Sequence, residues 1–129
     1  MTRNARTDVL YIDDDNLMET VLRLRLEYLE GFSMTYAATG QAGLDRARED
    51  PPKAIPLDWH MPGMDGWDTL RALKADPRTQ GIPVYMLTGC ATMEYAECAL
   101  SHGASGYFTK PLNLALISAR IRQTVEETA

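Results

Sequence analysis

The chain is poor in cysteine, in excess positive charge and in long apolar runs. Its two cysteines, Cys90 and Cys98, stand eight positions apart with no CxxC or Cys/His spacing, which argues against a zinc site or a disulfide framework. Both suit a core as small apolar side chains. The formal charge is −5, with no basic stripe and no interleaving of aromatic and basic residues, so direct nucleic-acid binding is not expected. No apolar run is long enough to cross a bilayer. The opening "MTRNARTDVLYIDDD" has no hydrophobic segment of signal-peptide type before its acidic cluster. These absences lead us to expect a soluble, cytoplasmic protein with no membrane partner. Internal repeats, low-complexity tracts and long linkers are also missing.

The 129 residues, 45% of them hydrophobic, suffice for one globular domain. Short apolar runs alternate with amphipathic segments, the pattern of βα units. "DVLYI" (8–12) predicts a strand. "NLMETVLRLRLEYLEG" predicts a helix, with Asn16 and Glu19 at capping-box spacing, Leu17, Val21, Leu24 and Tyr28 at helical intervals, and Gly31 as its stop. "SMTYAA" predicts a second strand and "GQAGLDRARED" a second helix, ended by Pro51 and Pro52. "AIPLDW" is a weaker third strand, followed by a helix over "DGWDTLRALKAD" with Asp65 as N-cap and Pro77 beyond its end. "IPVYMLTG" is a strand, "MEYAECALSHG" a helix ending at Gly103, and "SGYFT" a strand. "NLALISARIRQTVEE" is a last helix capped by Asn113.

Five strands alternating with five helices predict a doubly wound α/β sandwich around a five-stranded parallel sheet, because parallel neighbours need right-handed crossovers. Ligands of such sheets bind beyond the carboxyl ends of the strands. Those ends carry Asp13, Asp14 and Asp15 after the first strand, and Asp58 after the third. Thr88 and Gly89 follow the fourth, and Lys110 and Pro111 the fifth. Carboxylates gathered at one edge repel each other, and a divalent cation relieves them. Hard oxygen ligands, few of them from the protein, suit Mg²⁺ better than a Ca²⁺ cage, and "DDDN" lacks the alternate spacing of an EF-hand loop. The bland alternative is a solvated helix N-terminus rich in acids.

Four motifs fall in order at the predicted strand ends: "IDDD", "LDWHMPGMDG", "MLTG" and "FTKP". Together they resemble a bacterial response-regulator receiver domain of the kind typified by the chemotaxis response regulator. The resemblance covers residues 8–126, leaving residues 1–7 as a flexible N-terminus and 127–129 as a tail. It implies a flavodoxin-like strand order 2-1-3-4-5, with Asp58 as phosphoacceptor. Asp13, Asp14, Asp58 and the backbone carbonyl of His60 would serve as Mg²⁺ ligands, Asp13 mostly through water. Thr88 and Lys110 would contact phosphoryl oxygens, Tyr107 would be the switch aromatic, and the Lys110–Pro111 bond would be cis. The implied partners are a sensor histidine kinase or histidine phosphotransfer protein and a downstream protein target. That target would be reached through the fourth helix, fifth strand and fifth helix. Residues after Glu126 are too few for an output module, so a stand-alone relay or an excised piece is expected. The protein would be a signalling phosphoacceptor rather than an enzyme.

Some features depart from the family pattern. Pro56 lies two residues before Asp58 in a strand that should be central, where proline removes a ladder donor. His60 and Cys90, each two residues beyond a site residue, fall where the family tunes phosphoryl lifetime. No partner histidine accompanies His60, which argues against a zinc ligand or phosphodonor, and His102 reads as an ordinary residue of a last helical turn. In the "MPGMDG" turn, Pro62 and Gly63 serve chain reversal, and Met61 and Met64 need no functional role. Three competing functions remain. A haloacid-dehalogenase-like phosphohydrolase needs a second aspartate where His60 stands. A flavin carrier needs a phosphate loop where "DDDN" would repel one. A degenerate receiver would keep the fold as an unphosphorylated docking module, and Pro56 is its support.

Overall fold

The computed structural model describes residues 7–61, 63–89 and 93–128. The expectations for the first six residues, Pro62, Cys90 and Ala129 lie outside the described residues. The elements alternate as β1 (Val9–Ile12), α1 (Asn16–Arg23), β2 (Met34–Ala37), α2 (Gly40–Glu49), β3 (Ile55–Asp58), α3 (Gly66–Ala75), β4 (Val84–Thr88), α4 (Met93–Ser101), β5 (Gly106–Thr109) and α5 (Leu114–Glu127). All strand pairs are parallel, in the order β2-β1-β3-β4-β5. This is the doubly wound sheet that the alternation predicts. No described helix is long and apolar enough to cross a membrane.

Each face of the sheet has its own core, because alternate side chains of a strand point to opposite faces. Leu10 and Ile12 of β1 join Leu44 and Ala47 of α2, Leu70 and Leu73 of α3 and Ala99 of α4. Val9 and Tyr11 join Leu22 of α1, Leu26 and the α5 residues Ile117, Ile121 and Val125. Met61 is buried in the first core, and Met64 packs against it. Cys98, expected to be buried, is a free, half-buried thiol.

The N-terminus of α1 differs from the capping box predicted at Asn16. Asp15 is the cap, and its Oδ1 accepts the N–H groups of Leu17 and Met18 at 3.1 Å each. Asn16 is already helical, and Glu19 turns outward to Arg23 at 2.8 Å. Any of the adjacent polar residues could cap, and the extended backbone at Asp15 (φ −93°, ψ 94°) selects it. The stripe at Leu17, Leu24 and Tyr28 marks the helix but not its buried face, for these residues are 73%, 51% and 80% exposed. Beyond Arg23 the chain widens into π-helical turns over Leu24–Leu29, each taking in an extra residue. The Phe32 N–H closes on the Leu26 carbonyl at 2.9 Å, and Gly31 turns the chain at φ +78°. The caps predicted at Asp65 and Asn113 form, accepting the N–H groups of Asp68 (2.9 Å) and Leu116 (3.1 Å).

Pro56 does not disturb the β3–β4 pairing. The Ile55 N–H donates to the Pro83 carbonyl at 2.9 Å and the Trp59 N–H to the Leu87 carbonyl at 2.8 Å. Alternation then turns the missing donor of Pro56 towards β1. The β1–β3 ladder is sparse there, with a bridge at Val9–Ala54 and pairing again at Ile12–Leu57. Asp58 stays in register with Leu87.

Candidate functional site

β1 and β3 end side by side and deliver the acids to one place. Asp13 is fully buried, Asp58 is 4% exposed and Asp14 is exposed. One carboxylate oxygen from each lies within 4.8 Å of the others. Lys110, just past β5, reaches over them, with Nζ 2.9 Å from Asp58 Oδ1 and 3.3 Å from Asp13 Oδ2. Its backbone N–H donates to the carbonyl of Thr88 at 2.8 Å, so the end of β4 fixes where the lysine starts. The Lys110–Pro111 bond is cis. Thr88 is buried at the end of β4, opposite Thr109 of β5. His60 follows β3 as an exposed residue.

Three carboxylates facing one ammonium set the electrostatics. Burial pushes the Asp58 carboxyl up to about 6; the Lys110 hydrogen bond opposes this and the Asp13 charge adds to it. Burial works against the Lys110 ammonium, but the bonds and charges of Asp58 and Asp13 outweigh it and raise its pKa above the usual lysine value. Asp58 therefore sits in a pocket of negative charge that is only partly compensated. An oxygen-preferring divalent cation fits this donor set, which is all carboxylate and lies where β1 and β3 end, with Asp14 exposed.

The sequence reading missed several contacts around this site. Tyr11, fully buried in β1, donates its hydroxyl to Asp13 Oδ2. Burial and the bond to Asp13 push the phenol well above its ordinary pKa, so it keeps its proton. A hydroxyl in an otherwise aliphatic strand, two residues before an acid and so on the same face, was the available signal. Gly66 opens α3 with its N–H on the Trp59 carbonyl at 2.9 Å. Trp67 and Tyr95 enclose Trp59, their ring centroids 5.5 and 5.0 Å from it. His102, expected to be unremarkable, lies just past α4 with its ring 4.3 Å from Trp67 and its Nδ1 2.9 Å from the Cys98 carbonyl. Tyr107 is on β5 and is 41% exposed.

Known proteins share this fold. The family model for the response regulator receiver domain matches residues 9–122. Transcriptional regulatory protein YkoG of Bacillus subtilis is 37% identical over 120 residues, covering 92% of this chain and 51% of its own length. Transcriptional regulatory protein CseB of Streptomyces coelicolor is 37% identical over 117 residues, 91% of this chain and 48% of its own. The chain thus spans about half the length of the curated relatives it matches. Among solved structures, the receiver domain of Francisella response regulator 1452 superimposes with a TM-score of 0.88 at 26% identity, covering 96% of this chain and 100% of that one.

Proposed function

The chain belongs to the response regulator receiver family of two-component signalling, and from that premise we propose that it accepts a phosphoryl group on Asp58 from a phosphohistidine donor, with Mg²⁺ bound at the acidic cluster. The carrying observation is Lys110 bridging Asp58 and Asp13 while Asp58 lies buried at a strand end with its acidity weakened. An ionised Asp58 oxygen attacks phosphorus, the P–N bond breaks as the P–O bond forms, and the electron pair returns to the imidazole of the donor. Such transfers need positioning and charge neutralisation above all. Lys110 supplies one positive charge from the β5 side and can follow an oxygen from carboxylate to phosphoryl. Asp14, Asp13, Asp58 and the His60 carbonyl would hold Mg²⁺, which supplies the remaining positive charge to the phosphoryl oxygens. Thr88 would offer its hydroxyl to a phosphoryl oxygen.

The donor would be a sensor histidine kinase or histidine phosphotransfer protein. The output would be a protein contact on α4, β5 and α5. The outward Tyr107 supports this surface, since its ring has room to change position. A groove of about 370 Å³ runs beside it, lined by Tyr85, Phe108, Leu116 and Arg120 among others. Pro56 was the support for an unphosphorylated docking module, and the regular pairing of Asp58 with Leu87 removes that support.

Incubation with acetyl phosphate and Mg²⁺, read by intact mass, should add one phosphoryl group to the wild type and none to Asp58→Asn. A variant that still takes up the group at the wild-type level would place the acceptor elsewhere.

A further inference from the structure

Tyr11 lies beneath the acidic cluster, where no side chain with a hydroxyl is needed for packing. Its ring belongs to the core with Val9, Leu22 and Leu26 and lies 5.8 Å from that of Tyr36. Phenylalanine would fill that space equally well. The hydroxyl instead ends on Asp13 Oδ2, the oxygen that Lys110 Nζ approaches at 3.3 Å. Asp13 Oδ1 accepts the Asp15 N–H at 3.1 Å. Each oxygen of this fully buried carboxylate thus has a neutral donor fixed to the protein frame.

We propose that Tyr11 is a positioning residue for metal loading, holding Asp13 so that Lys110 remains directed to Asp58 and does not close over the cation site. This rests on the reading of Asp58 as an Mg²⁺-dependent phosphoacceptor. A buried carboxylate oxygen that loses its donor is costly to leave unpaired. Without the phenolic hydroxyl, Lys110 is the remaining donor to Oδ2 among the described residues, and an ammonium binds a carboxylate more strongly than a neutral hydroxyl does. Its 3.3 Å contact to Asp13 would shorten at the expense of the 2.9 Å contact to Asp58. An incoming cation must then displace the ammonium from Asp13, and Asp58 loses its counter-charge. Tyr11 prevents this by occupying Oδ2 from its fixed place in the core.

The test uses the full chain, with Mg²⁺ binding measured by calorimetry and tryptophan fluorescence and folding by thermal melting. Tyr11→Phe should weaken Mg²⁺ binding about tenfold, the scale on which outer partners of metal ligands act, while Tyr36→Phe leaves it unchanged. In an Asp13→Asn background, adding Tyr11→Phe should cause no further loss. An unchanged or tighter affinity in Tyr11→Phe overturns the proposal, as does the same loss in the Asp13→Asn background. A Tyr11→Phe protein that no longer folds overturns it too, by assigning the hydroxyl to stability. A wild type that binds no Mg²⁺ at all removes the phosphoacceptor reading itself, and this proposal with it.

Discussion

Asp58 shows at the scale of one residue how a site is kept ready at the expense of stability. Its carboxyl is pushed up to about 6 by burial first, with the Asp13 charge adding and Lys110 opposing. In the unfolded chain the same group titrates near about 4. Between these values the native state holds a proton that the unfolded state has released. The resulting stability is full below about pH 4 and is lost as the pH rises through about 6. Ionised Asp58 therefore costs the folded protein up to about 3 kcal/mol at neutral pH. Asp58→Asn should raise the stability of the metal-free protein by about 2 kcal/mol at neutral pH, since losing the Lys110 bond returns part of the gain. The advantage should shrink as the pH falls towards about 4, as urea unfolding would measure. A variant less stable than the wild type at neutral pH would mean that the ion pair outweighs burial.

At the scale of elements, the junction of β3 and α3 sets where Asp58 ends up. A methyl group at Gly66 would overlap the Asp58 carbonyl oxygen and come within 2.7 Å of Trp59 Cα. Both are backbone atoms, so nothing there can yield cheaply. Gly66→Ala should cost about 2–3 kcal/mol by denaturant unfolding, as other overpacked sites do, and slow phosphorylation as well. Gly81→Ala, which meets open space, should change neither. The aromatic contacts from Trp59 to Trp67 and Tyr95, and from Trp67 to His102, tie α3 and α4 to the same strand end. Both tryptophans are therefore placed to report on the site. Pro56 is the contrasting case, since its missing donor weakens only the β1 side, while pairing with β4 carries the strand to Asp58.

At the scale of the molecule, a cation at the acidic edge acts on the whole folding equilibrium, because the cluster exists only when β1, β3 and β5 are assembled. Binding to the native state alone stabilises it by mass action, by about 2.7 kcal/mol at a hundredfold excess over Kd. Mg²⁺ should raise Tm at about pH 8 and do so much less at about pH 5, where Asp58 with its pKa of about 6 is mostly protonated and a poor ligand. Differential scanning fluorimetry at the two pH values checks this. An equal shift at both would place the stabilising cation away from Asp58.

The order of elements, the caps at Asp65 and Asn113, and the gathering of Asp13, Asp14, Asp58, Thr88 and Lys110 at strand ends were legible in the sequence. Hydrophobic period and breaker residues are local signals, and parallel connectivity leaves few ways to arrange them. The choice of Asp15 over Asn16 as cap was not legible, because neighbouring polar residues compete and the entry angle of the chain decides. Nor was the buried face of α1, where the π-helical turns at Leu24–Leu29 shift the register that a regular period assumes. The harmlessness of Pro56 depended on which neighbour its nitrogen faces. The Tyr11–Asp13–Lys110 arrangement joins residues 97 positions apart between Asp13 and Lys110, and only the closed sheet brings an ammonium and a phenol to one carboxylate oxygen. Types and spacings along the chain thus determine which groups reach the strand ends, whereas their partners and protonation depend on burial and distance, which exist only once the strands are packed.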